Sequence, residues 1–349
     1  MPFPLLNWNT NYCAIILGVE MGGIWGSREF FSGALTEIAG YKAGVVLTAN
    51  ELFDLMREQD VANILDPDGP GGGRVHSTSF EEAVVYLLYK LGNTSSPRNV
   101  SISIELFHKY RGSPQAAVLE QIIERWLHFL KAAIKQRRQD QSIDPSPFLY
   151  TVYQKLGRGG ASIAMELIDG WQRDLHRSAW GAIRNFEWLD TVELRGLFQS
   201  AGLETQHAQF FDQRYIDYLS QNFTDMDRMH WRKFEGLTAE FFQREGFHVQ
   251  LGPGSNDGGI DLRIYPDRNN PEMPPMIIVQ CKRQKAKIDK TLVKAVYADV
   301  LDEGAGSGLI VTTSTLSPGA EAVRTVRNYP VDVADRTTLR TCKKPTELV

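Results

Sequence analysis

Residues Asp257–Arg283 read DGGIDLRIYPDRNNPEMPPMIIVQCKR. An acidic Gly-Gly turn leads through Asp261 into an extended segment, and a second apolar run, Met276 to Gln280, ends in Gln280-Cys281-Lys282. Side chains two apart on a strand share a face. Gln280 and Lys282 therefore point together, while Cys281 turns the other way, into the core. An acid from one strand and an amide and ammonium from its neighbour then converge on one point, where they can hold a divalent cation and a water against a phosphate.

Outward from this stretch the pattern alternates between the two periodicities. Trp231 to Glu245 is amphipathic, with Phe234, Leu237, Thr238, Phe241 and Phe242 on one stripe, and Gly246 stops it. Strands are expected near Phe247 to Leu251, Ile260 to Tyr265 and Met276 to Gln280. A helix follows over Thr291 to Leu301, then an apolar strand over Gly308 to Thr312. Ser317-Pro318 provide capping and first-turn residues for a helix over Gly319 to Arg327, and Val331 to Val333 adds an edge strand. The order is αβββαβα.

Six short pieces carry a resemblance: Phe234-Glu235; Glu245 to Val249; Ser255 to Asp261; Val279 to Arg283; Ile310 to Thr313; and Leu316 to Ala320. In this order and spacing, residues from about 234 to 339 resemble the catalytic domain of Mrr-type restriction endonucleases, within the PD-(D/E)xK nuclease superfamily. The resemblance implies a restriction-endonuclease-like α/β sandwich with an αβββαβ core. It also implies a metal-dependent DNA endonuclease acting in restriction or anti-phage defence, with Mg2+ as cofactor and Mn2+ as a substitute. On that reading Asp261 is the main metal ligand, and Lys282 orients or deprotonates the attacking water and stabilises developing charge. Gln280 stands where the superfamily usually has a carboxylate, so a neutral amide oxygen becomes the second metal ligand. Glu235 resembles the helix glutamate that supports the metal site. Asp257 either supports the site or organises the Gly258-Gly259 turn. Thr312 and Thr313 match the family's strand end and either approach DNA or simply close the strand.

Charge supports this division of labour. The chain carries 38 basic and 42 acidic residues, a formal charge of −4; from His230 onward 17 basic stand against 15 acidic, leaving 21 against 27 before that point. Lys282, Arg283, Lys285, Lys287, Lys290 and Lys294 fall close together after the proposed catalytic lysine. Of these, Arg283, Lys285 and Lys287 are the expected contacts to a DNA backbone. The expected partner is double-stranded DNA, with a homodimer or a defence-complex subunit as further partners and no membrane. The three cysteines, Cys13, Cys281 and Cys342, are odd in number, far apart and outside any CxxC or Cys/His spacing, a pattern that indicates neither a disulfide framework nor a zinc site. The apolar Cys13–Val19 run is too short to span a bilayer and lacks a basic leader. A cytoplasmic protein is expected.

Residues 1–225 show no nameable motif or internal repeat. Asn11 to Val19 and Lys42 to Leu47 read as strands, and Asp66 to Arg74, DPDGPGGGR, as a loop without the Gly-Lys-Ser/Thr of a phosphate loop. Helical spacing runs through Phe80 to Leu91, Ala116 to Ile134, Ala161 to Trp188 with a break near Gly170 or Gly181, and Tyr215 to Phe223. The aromatic residues there are expected to be core. The polar Asn222–Met229 stretch reads as a joining segment. The expected organisation is thus a mostly helical domain over 1–225 for recognition, regulation or oligomerisation, and a nuclease domain over 226–349. Two other functions remain open: a subunit whose nuclease acts only when a partner engages the helical half, and a catalytically silent nucleic-acid binder.

Overall fold

The computed structural model describes residues 22–136, 143–181, 183–184, 186–203, 205–254, 259–266 and 273–341. The expected strand over Asn11 to Val19, Asp257, Cys13 and Cys342 lie outside the described residues. The first half contains β1 (Gly23–Ser27), α1 (Arg28–Ala43), the short β2 (Val45–Val46), α2 (Ala49–Met56), α3 (Ala62–Leu65), β3 (Gly72–His76), α4 (Ser77–Lys90), α5 (Ile102–Tyr110), α6 (Gln115–Gln136) and α7 (Ser146–Arg177). The second half contains β4 (Val192–Glu193), α8 (Gly196–Gln199), α9 (Gln213–Gln221), a 3-10 turn (Phe223–Asp227), α10 (Trp231–Arg244), β5 (His248–Leu251), β6 (Leu262–Tyr265), β7 (Ile277–Lys282), α11 (Lys290–Asp302), β8 (Ser307–Thr312), α12 (Pro318–Val326), β9 (Val331–Ala334) and α13 (Arg336–Thr341). Two units separate by compactness: residues up to 42 with 52–89 and 94–189, and residues 43–51 and 90–93 with 190 onward.

In the first unit, Leu119, Ile122, Trp126 and Leu130 recur along α6 at helical spacing and are buried against Ile102 of α5 and Phe148 and Leu167 of α7. Trp126 meets Phe148 at 4.9 Å and Trp171 edge-on at 5.3 Å, so these aromatic rings are core. The long helix begins fifteen residues before its expected start, and its break is elsewhere: Gly157 adopts φ 65°, ψ −164°, a conformation only glycine takes readily. Gly170 stays helical because Ile102 packs directly against it, and Gly181 lies beyond the helix end. That end is set by Lys42, whose buried amine donates to the carbonyls of His176 and Ser178 (2.6 Å to the latter). Lys42 therefore sits in the last turn of α1 rather than in a strand. The glycine-rich loop is shorter than expected, since β3 starts at Gly72 and pairs antiparallel with β1, Ser27 opposite Gly72.

The second unit is built on one five-stranded sheet of order β5-β6-β7-β8-β9, antiparallel through β7 and parallel from β7 onward. Each strand falls where the apolar runs place it. Strand alternation divides the sheet: Cys281 contacts Thr238 of α10 on one face, while Ile278 packs with Val300 and Ile310 with Val293 and Val296 of α11 on the other. The sandwich with an αβββαβ core is therefore observed.

Asn222–Met229 is not a free joining segment. It forms the 3-10 turn with Met226 and Met229 buried, and the Asp227 carboxylate takes both oxygens to Arg336 Nη1 at 2.8 Å. Residues before it also pack in this unit: the Glu240 carboxylate of α10 accepts the amides of Gln209 and Phe210, and Arg214, 1 % exposed, pairs through two bonds with Asp212.

Candidate active site

The sheet delivers the three central residues to one place. Asp261 stands at the head of β6, one step beyond the paired Leu262 and Val279, and so lies beside Gln280 of β7; its amide donates to the Val279 carbonyl at 3.0 Å. The Cys281 amide donates to Asp261 Oδ2 at 2.6 Å and holds the carboxylate over β7. Gln280 shares its strand face with Lys282, whose ammonium has no hydrogen bond or ion pair among the described residues.

Asp261 and Gln280 are buried. Among the described residues no donor reaches Gln280 Oε1, a condition that costs about 1–3 kcal/mol in a buried group. A cation is one group that would satisfy it. Among the described residues no three His, Cys, Asp or Glu side chains gather to hold a metal by themselves. The available donors are instead a carboxylate and an amide oxygen, hard ligands of the kind magnesium accepts while keeping several waters. The turn into this site is close-packed: Gly259 has φ 97°, and a β-carbon there would stand 3.2 Å from Gln280 Nε2.

Glu235 is buried on α10 with Oε2 accepting from Arg232 Nη1 at 2.7 Å, and Arg232 Nη2 donates to the Gly252 carbonyl at 2.7 Å. The Gly252 amide in turn donates to the Asp261 carbonyl. Glu235 is thus fastened to the turn beside Asp261, and its charge is already matched by Arg232. Burial first, then the charges of Asp261 and Glu235, push the Cys281 thiol well above its ordinary range. Cys281 is a core residue, not a nucleophile.

The basic run divides. Lys285 and Lys287 are exposed, whereas Arg283 is half-buried and donates to the Asp227 carbonyl at 2.9 Å. Arg283 faces inward because the 3-10 turn offers that carbonyl against it. The hydroxyls of Thr312 and Thr313 are taken up by the neighbouring backbone: Thr312 Oγ1 donates to the Lys282 carbonyl at 2.8 Å, and Thr313 Oγ1 donates to the Gln284 carbonyl at 3.2 Å. Ser314 Oγ completes the brace on the Lys285 carbonyl.

Three participants escaped the sequence reading. Arg232 lies three residues before Glu235, a helical pairing distance that could have revealed it. The role of Ser314 follows only from the curl of the loop beneath β8. Asp299 of α11 reaches the Gly259 turn, its Oδ2 3.9 Å from the position a β-carbon on Gly259 would take; burial, then the charges of Asp302 and Glu303, raise its proton affinity. No local pattern marks it.

A mixed five-stranded sheet clasped by α10 and α11, with an acid, an amide and a lysine gathered on β6 and β7, defines a domain of the restriction-endonuclease-like α/β class. Residues 226–342 match the family model Mrr_cat, restriction endonuclease, so the C-terminal third carries an Mrr-type restriction-endonuclease domain. Over 112 residues the chain is 26% identical to the uncharacterized protein y4cE of Sinorhizobium fredii (strain NBRC 101917 / NGR234), a match spanning 32% of this chain and 29% of that protein. A solved structure, the MspJI restriction endonuclease in complex with a 27-mer oligonucleotide, aligns at 22% identity and TM-score 0.27 over 46% of this chain and 36% of that one. Among the described residues no helix is long and apolar enough to cross a membrane.

Proposed function

We propose that the protein is a divalent-metal-dependent DNA endonuclease that hydrolyses phosphodiester bonds of foreign double-stranded DNA, with the helical first unit serving recognition or control. The observation that carries this reading is that Asp261 stands opposite Gln280 in the strand register, that the buried Gln280 Oε1 has no donor among the described residues, and that the same strand face presents Lys282. Asp261 and Gln280 would hold a magnesium ion, which when bound withdraws charge from the phosphate and acidifies a coordinated water. Lys282 adds a mobile donor to the same face, suited to orienting the attacking water and to the charge that develops on the phosphate. Lys285 and Lys287, exposed just beyond, supply backbone contacts to DNA.

The test is conversion of supercoiled plasmid, modified and unmodified, by the full-length protein with Mg2+ or with chelator. Nicked or linear product formed only with the metal supports the reading, and product formed equally in chelator contradicts it. A protein that binds DNA but cuts nothing at any metal concentration would favour the partner-gated or silent alternatives.

A further inference from the structure

Lys282 ends β7, and the loop that follows it is held from two other places. At the end of β8 the Thr313 amide donates to the Lys282 carbonyl at 3.3 Å, and Ser314 Oγ donates to the Lys285 carbonyl at 3.2 Å. At the 3-10 turn the Asp227 carbonyl accepts from Arg283 Nη1 at 2.9 Å. Arg336, the first residue of α13, joins these two supports. Its Nη1 lies 2.8 Å from each Asp227 carboxylate oxygen and 3.3 Å from the Thr313 carbonyl, and its amide donates to the Ser314 carbonyl at 3.0 Å. Among the described residues Asp227 is the only carboxylate paired with Arg336. The turn that carries Asp227 is itself anchored. Met226 and Met229 are buried, the Phe223 ring lies 5.8 Å from the Arg336 guanidinium, and the Tyr218 hydroxyl donates to the Asp225 carboxylate at 2.5 Å. Asp227 therefore grips the strand end twice: its carbonyl takes Arg283, and its carboxylate, by way of Arg336, steadies the Thr313–Ser314 brace.

Building on the nuclease reading, we propose that Asp227 is a positioning residue, which fixes the backbone from Lys282 to Lys285 so that the Lys282 ammonium meets the phosphate to be cut. The polar stretch ahead of the nuclease domain thus acts on the reaction without touching the substrate.

Plasmid cleavage by the full-length protein with Mg2+, analysed as kcat and KM, tests this. Asp227→Asn keeps the carbonyl and the side-chain shape but removes the charge that holds Arg336. It should lower kcat by roughly 10- to 100-fold without raising KM, because loss of an acid adds no repulsion toward DNA. Arg336→Gln should lower kcat to a similar extent, and the double variant should fall no further than about 2-fold below the single ones, since both changes break one bond. Arg336→Lys should keep most of the rate: Nη1 alone makes the three side-chain contacts, and a lysine nitrogen carries three donors. Hydrogen–deuterium exchange over 282–287 should quicken in Asp227→Asn, while Mn2+ affinity stays that of the parent. Parental kcat in Asp227→Asn, losses that multiply in the double variant, or a fallen kcat with parental exchange over 282–287 each overturn the proposal and leave the nuclease reading standing. A parent protein that cuts no DNA brings down both.

Discussion

Thr312→Val removes a single hydroxyl at constant shape, and its consequence can be worked out from three hydrogen bonds. Thr312 is fully buried; its Oγ1 donates to the Lys282 carbonyl at 2.8 Å and accepts the Ser314 amide at 3.1 Å. After the substitution the Lys282 carbonyl keeps only the Thr313 amide, at 3.3 Å, and the Ser314 amide loses its acceptor. A buried backbone group left unpaired costs about 1–3 kcal/mol, so denaturant melts should show a loss of that size. Most domains hold roughly 5–15 kcal/mol of stability, and the variant therefore stays folded at 25 °C. The catalytic cost is separate. The bond restrains the backbone of Lys282 itself, and misplacement of a reacting group by about 1 Å can cost on the order of 100-fold in rate. Cleavage measured at saturating Mg2+ and DNA should fall by roughly 10- to 100-fold, with little change in DNA affinity. Wild-type cleavage in a variant that has lost the expected stability would refute the claim that the end of β8 positions Lys282.

Three further outcomes follow from the same structure. His176, completely buried, has its pKa lowered to about 4 by burial and the nearby Lys42 and Arg177 charges; the unfolded chain binds the proton first, so stability falls as pH drops from about 6.5 toward 4, by about 3 kcal/mol. Urea melts at both ends of that window should show the difference in the parent and a smaller one in His176→Gln; an equal difference in both would contradict it. Arg214→Leu strands the buried Asp212 carboxylate and should cost about 3–5 kcal/mol, and adding Asp212→Asn, which removes the stranded charge, should restore part of the loss in the same melt. Lys285→Ala and Lys287→Ala should each lower the salt dependence of DNA binding by about one unit of slope while leaving Mn2+ binding intact; a change confined to metal binding would remove these lysines from the DNA surface.

The sheet domain was legible because its strands are apolar runs bounded by glycine, proline and polar turns, and its helices carry stripes at threefold and fourfold spacing. The first unit was less so. Gly157, Gly159 and Gly160 look like the end of a loop, yet the helix passes through them with one kink, and Pro147 lies in the first turn where it is tolerated. At the site, Asp261, Gln280 and Lys282 could be placed together since a two-residue spacing alone puts side chains on one face. Arg283 was expected to face DNA and instead donates to the Asp227 carbonyl, while Thr312 and Thr313, for which a DNA-facing and a strand-closing role were both open, brace the loop after β7, because a strand end does not reveal which way the following turn folds. Asp299 comes from a helix whose rotation against the sheet is set by Val293, Val296 and Val300 packing onto β7 and β8, a tertiary choice absent from its local sequence.

The central claim is that Lys282 works on the same phosphate as a metal held by Asp261 and Gln280. Its most direct test is matched cleavage of plasmid DNA by the parent protein and Lys282→Ala, with Mg2+ and with chelator, after Mn2+ binding has been verified for both. The parent should nick or linearise the plasmid only with Mg2+, and Lys282→Ala should lose at least about 100-fold in rate while still binding Mn2+. Equal cleavage by the two proteins would contradict it.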